Sequence, residues 1–101
     1  MEKRRPTYDL QAIKRVGASR ESLAITRTAL RSAPFLGFDR AEVVKTIQSI
    51  ERNMFYKSMN TYADARLWQD VYHVPAGEII LYVKFQADLI AEFQVMSFKE
   101  K

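Results

Sequence analysis

The chain has no cysteine, one histidine, three glycines and three prolines. Without cysteine there is no disulfide and no thiolate nucleophile. With His73 as the only imidazole, a protein-held zinc is not expected. One histidine also excludes a two-imidazole acid/base pair for RNA cleavage. Gly17, Gly37 and Gly77 lie far apart, so there is neither a GxxxxGK[ST] phosphate loop nor a GxGxxG turn. HExxH and GxSxG are absent as well. The acids are scattered singly, with no sign of a two-metal cluster or a paired-carboxylate site. No run approaches the roughly 20 apolar residues of a membrane span. The start, "MEKRRPTYDL", is basic but lacks the apolar stretch of a secretory signal. The expectation is a cytoplasmic protein without cofactor or metal.

What is present fits one domain over residues 1–101, with 48% apolar residues to build a modest core. The net charge of +4 is unevenly placed. Residues 1–31 hold eight Lys/Arg against three acids, and residues 32–101 hold eight against nine. A basic N-terminal third suits a polyanionic partner, because contacted phosphates release counterions. It is equally compatible with a solvated basic face. The cluster Lys3, Arg4, Arg5 reads as a flexible tail that adds attraction to RNA without specificity.

The first half reads as helices and the second as strands. Asp9 caps a helix with Leu10, Ile13 and Val16 on one side and Gly17 as its stop. Thr26 or Thr28 opens a second, which Pro34 keeps short or irregular. A short strand at Leu23–Ile25 can precede it. Asp39 and Glu42 have capping-box spacing ahead of an apolar stripe of Val43, Val44, Ile47 and Ile50. From residue 54 on, "MFYKSMNTY", "LWQDVYHV", "EIILYVKFQ" and "EFQVMSFK" read as strands. The links are "ADAR", "PAG" and a turn near Ala87 and Asp88, short enough to require antiparallel neighbours. The expected architecture is α+β, with helices on one face of an antiparallel sheet.

Strand alternation sorts the side chains into two faces. Ile79, Leu81, Val83 and Phe85 form a core stripe, with Tyr82, Lys84 and Gln86 opposite. Lys57 shares a side with Met59, and Gln69 one with Val71 and His73. Lys57, Gln69, Tyr82 and Lys99 can then converge on one exposed face. For Lys99 this needs a bulge, since Phe93 and Val95 otherwise share its side. Such a set suits attack by a ribose 2′-hydroxyl on the adjacent phosphorus, with lysines stabilising the phosphorane. A tyrosine whose pKa neighbouring lysines lower serves as general base or acid. An amide positions the substrate and aromatics stack on unpaired bases. Each residue also has a plainer explanation: solvated lysine, packed tyrosine, neutral surface glutamine. Trp68 reads as sheet packing rather than a base platform, and His73 as a sheet-surface residue.

Several stretches together resemble the MqsR toxin family: "MEKR" with Pro6, "TR" and "AL" within 26–30, "FYKSM" to Asp64, "WQDVY" at 68–72 and "SFKEK" at 97–101. The resemblance spans nearly the whole chain. It implies a RelE-like fold and a metal-independent endoribonuclease that cuts mRNA, leaving 2′,3′-cyclic phosphate and 5′-hydroxyl ends. On it, Lys57, Gln69, Tyr82 and Lys99 are the catalytic set, and Tyr56 and Met59, with Lys84 beside Tyr82, are RNA contacts. The implied partner is an MqsA-type antitoxin that itself holds zinc and binds operator DNA. Growth arrest, persistence and stress response are the implied setting. His73 stands where the family carries a basic residue, and the path from Tyr82 to "SFKEK" is longer than is usual. A non-catalytic RNA-binding module and a protein-interaction domain remain the alternatives.

Overall fold

Local capping chemistry sets where the helices begin. In the computed structural model, which describes residues 1–19, 21–88 and 92–101 and all of their side chains but those of Phe35, Asp88 and Glu92, Asp9 accepts from the Gln11 N–H and opens α1 (Leu10–Val16). Thr26 rather than Thr28 caps α2 (Arg27–Phe35), accepting from the Ala29 N–H at 3.2 Å. Pro34 has no N–H for the preceding turn, and α2 ends one residue later. Asp39 and Glu42 form the expected reciprocal box at the start of α3 (Arg40–Gln48). Such a cap is worth about 1 kcal/mol. Of the strand expected at Leu23–Ile25, only Ile25 bridges, in parallel, to Val95.

The sheet has five antiparallel strands in sequence order: β1 (Glu2–Lys3), β2 (Phe55–Asn60), β3 (Trp68–Ala76), β4 (Ile79–Asp88) and β5 (Glu92–Glu100). The chain is α+β, as its patterning predicts. The N-terminal segment is not a flexible tail, however. Glu2 and Lys3 pair with Met59 and Ser58, and Lys3 Nζ lies 4.2 Å above the Trp68 ring. All three links also differ from expectation. β2 runs only Phe55–Asn60, with Met54 in a preceding 3-10 turn, so the link expected at "ADAR" lengthens to 61–67. β3 continues through Pro75 and Ala76, so the turn narrows to Gly77–Glu78, with Gly77 at φ +63°. β4 continues through Ala87 to Asp88, so the residues expected to turn are strand instead. Pro75 is tolerated because β2 pairs no further along β3 than Tyr72, which leaves that end of β3 an edge.

Helices α1, α2 and α3 contribute to one core against one sheet face. Leu10 and Ile13 of α1, Ala29 and Ala33 of α2, and Val43 and Ile47 of α3 meet Tyr72, Val74, Leu81, Val83, Phe85, Val95 and Phe98. Of the α3 stripe, Val43, Ile47 and the following Ile50 are fully covered and Val44 partly so. Phe38 meets Phe98 edge-on at 5.4 Å. The half-open crevice lined by Ile13, Gly17, Ile47 and Phe85 among others holds about 10 Å³, room for at most one water. It offers no home for a small-molecule ligand. Among the described residues no helix is long and apolar enough to cross a membrane.

Candidate functional site

The helices leave the other sheet face open, and two β-bulges decide what stands on it. In β2 the register shifts between Phe55 and Lys57. Phe55 turns inward, meeting Tyr72 edge-on at 5.6 Å. Tyr56, the extra residue, stacks on His73 with centroids 4.3 Å apart. In β5 the shift falls between the pairs Lys84–Ser97 and Phe85–Val95, making Met96 the extra residue. Val95 and Phe98 therefore both reach the core, while Ser97 and Lys99 point to the open side. Thr26 secures this bulge: its N–H donates to the Val95 carbonyl at 2.9 Å and its hydroxyl to the Met96 carbonyl at 3.2 Å. One threonine thus caps α2 and anchors the kink on which the placement of Lys99 depends.

Cross-strand pairing then writes three rows over the open face. One runs Met59, Gln69, Gln86. The next runs Lys57, Val71, Lys84, Ser97, and the third His73, Tyr82, Lys99. All four residues expected to be catalytic and all three expected RNA contacts stand on this face or, for Tyr56, at its edge. Gln69 donates to the Gln86 amide oxygen at 2.8 Å, so its orientation is set by its cross-strand neighbour. Val71, paired across the strands with both lysines, is fully buried. Trp68 pairs with Asn60 on the opposite side, which supports packing rather than base stacking.

The electrostatics correct one expectation. The Tyr82 phenol is pushed above its ordinary value of 10.0: burial outweighs the downward pull of Lys57, and Tyr56 and Glu2 add to the rise. Tyr82 is therefore protonated at neutral pH and suited to give a proton, not to take one. Lys99 Nζ lies 5.3 Å from the centre of its ring. Lys84 is the amine held below its ordinary value, by burial and then by the like charges of Lys99 and Lys57. Lys57 is instead raised, by its hydrogen bond to Glu2. His73, between Tyr56 and Tyr82, is lowered by burial and by Lys101.

Two participants escaped the sequence reading. Glu2, whose Oε1 is 2.5 Å from Lys57 Nζ, sits in a strand of two residues, too short to show any periodicity. The pairing of Tyr56 with His73 arises from the β2 bulge; spacing within one strand carries no signal for it. An open groove of about 530 Å³, lined by Arg4, Tyr56 and His73 among others, continues the face beyond this stack. Among the described residues no three His, Asp or Glu side chains gather closely enough to hold a metal ion. The arrangement offers cations for phosphates, a phenol that donates, an amine with reduced basicity and, in the exposed Tyr56 backed by the partly buried His73, a ring for stacking.

Comparison with known proteins points the same way. Residues 5–100 match the family model described as motility quorum-sensing regulator, toxin of MqsA. The mRNA interferase toxin MqsR of Escherichia coli strain K12 is 36% identical over 103 aligned positions, covering the whole of both chains. The chain belongs to the MqsR toxin family.

Proposed function

We propose that this protein is the toxin of a bacterial type II toxin–antitoxin system and an endoribonuclease that cuts mRNA on the open sheet face without a metal. The observation that carries the reading is the gathering of Lys57, Lys84, Lys99 and Tyr82 on the one sheet face opposite the helical layer. The mRNA interferase relative, 36% identical along its full length, supports the same activity.

In the proposed reaction the ribose 2′-oxygen bonds to the adjacent phosphorus and the bond from phosphorus to the 5′-oxygen breaks. The 2′ proton passes to Lys84, the amine held below its ordinary value by burial and by the charges of Lys99 and Lys57. Tyr82 gives its proton to the leaving 5′-oxygen. Lys57 and Lys99 offset the charge of the phosphorane, and such a preorganised donor is typically worth about 10²- to 10³-fold in rate. Gln69 orients the phosphate, and Tyr56 and Met59 contact flanking bases. The products are a 2′,3′-cyclic phosphate and a 5′-hydroxyl. An MqsA-type antitoxin neutralises the toxin, carries the zinc and brings the pair to operator DNA.

End-labelled RNA incubated with the protein and EDTA tests this. Cleavage with cyclic-phosphate ends is expected, and DNA of the same sequence is left intact because it lacks the attacking hydroxyl. Salt-sensitive retention of RNA with no new ends makes the protein a binding module instead. Neither cleavage nor retention leaves a protein-interaction domain.

A further inference from the structure

Glu2 lies opposite Met59 in β1 and accepts a hydrogen bond from Lys57 through one carboxylate oxygen. Exposed ion pairs ordinarily contribute little, because two long side chains must be ordered to form them. Here the backbone of β1 is ordered independently of Lys57. The N-terminal ammonium donates to Asn60 Oδ1 at 3.0 Å, and the Asn60 N–H donates to the Met1 carbonyl at 3.2 Å. Lys3 lies over Trp68. The N–H groups of Thr7 and Tyr8 converge on the buried Asp70 carboxylate at 2.9 to 3.1 Å. The carboxylate is thus delivered to Lys57 by the fold.

The two partners are not equally enclosed. The Lys57 side chain is 20% exposed and that of Glu2 57%. When a phosphate arrives, Glu2 is the group that turns into water at little cost. Phosphate and carboxylate also repel, and the charge of Glu2 acts on Tyr82 as well. A carboxylate left in place opposes the negative charge that a phosphorane develops.

Building on the RNA-cleaving reading, we propose that Glu2 is a positioning residue acting through Lys57: it holds the ammonium at the edge of β1 in the free protein and yields it to the phosphate of bound RNA. Glu2 therefore sets how tightly RNA binds, while turnover on bound RNA proceeds without it.

The test is an anisotropy titration with single-stranded 2′-O-methyl RNA, which the protein cannot cut, across a salt series. Cleavage kinetics on ordinary RNA run in parallel. Glu2→Gln should lower Kd about two- to fivefold, the scale of one exposed ion pair. Its slope of log affinity against log salt should steepen by about 0.7, one further counterion on a single strand. KM should fall with kcat kept within about twofold. Glu2→Asp should restore the wild-type slope, and Glu2→Gln should change nothing in a Lys57→Ala background.

Unchanged Kd and slope in Glu2→Gln overturn the proposal, as does a drop in kcat at unchanged Kd. The same gain without Lys57 also overturns it, since the effect is then one of overall charge. Wild-type protein that neither binds nor cuts RNA defeats the underlying reading and this one together. Wild-type cleavage with an inert Glu2→Gln defeats this one alone.

Discussion

Replacing Tyr82 by Phe removes one hydroxyl and leaves the ring that lies 6.2 Å from His73 and under Lys99. Among the described residues that hydroxyl has no protein hydrogen-bond partner. No buried group is orphaned by the change, and the stability cost should stay within about 0.5 kcal/mol, as for substitutions that touch no such feature. If Tyr82 is the proton donor, the rate at saturating RNA should fall by about 10²- to 10⁴-fold, the usual contribution of general acid catalysis. That corresponds to about 2.7 to 5.4 kcal/mol of transition-state stabilisation. The pH dependence carries the sign. With its pKa above 10.0, Tyr82 keeps its proton through the neutral range, so activity should rise with pH as Lys84 loses its proton and fall only as the phenol ionises. The assay is single-turnover cleavage of end-labelled RNA across pH, with binding of 2′-O-methyl RNA measured alongside. The variant should bind as wild type does and lose the alkaline descent. A Tyr82→Phe protein within about tenfold of wild type would refute the role, because a displaced proton donor costs more than that.

Lys57→Ala and Lys99→Ala should each slow cleavage by about 10² or more while the protein stays folded; near wild-type gel rates in both sink the assignment of these lysines. Phe98→Ala should cost about 3–5 kcal/mol in urea unfolding, since the ring is fully buried against Phe38. That is a large part of the 5–15 kcal/mol typical of a domain, so a change in midpoint too small to detect contradicts the described core. His73 has a native pKa below 6.5, so between that value and 6.5 the unfolded chain binds more protons than the native one. Stability should rise with pH through this window, be lost as pH falls through it, and change no further below it. Urea midpoints on both sides of the window should show that dependence in wild type and a weaker one in His73→Gln.

Much of the fold was legible because its signals are local. Asp9, Thr26 and the Asp39/Glu42 pair cap helices through bonds that span two or three residues. The alternation Leu81, Val83, Phe85 against Tyr82, Lys84 assigns faces within one strand. Lys57, Gln69, Tyr82 and Lys99 were legible as a set from that alternation and from the family's motifs, with the bulge required for Lys99 left open. The turn at Gly77–Glu78 was only roughly placed, because the last pairings of β3 depend on what β4 offers across from Pro75.

The amino-acid sequence by itself determined the starts of α1 and α3, the strand faces, the poverty of nucleophiles and metal ligands, and the family, and it narrowed the start of α2 to Thr26 or Thr28. Only the tertiary structure decided which bulges occur, because register follows from pairing with a neighbouring strand and from bonds such as that of Thr26 to Met96. It alone turned the N-terminal residues into an edge strand, since two residues carry no period. It also reversed the expected direction for Tyr82. A pKa answers to burial by distant neighbours as well as to nearby charges, and here burial outweighed the lysine.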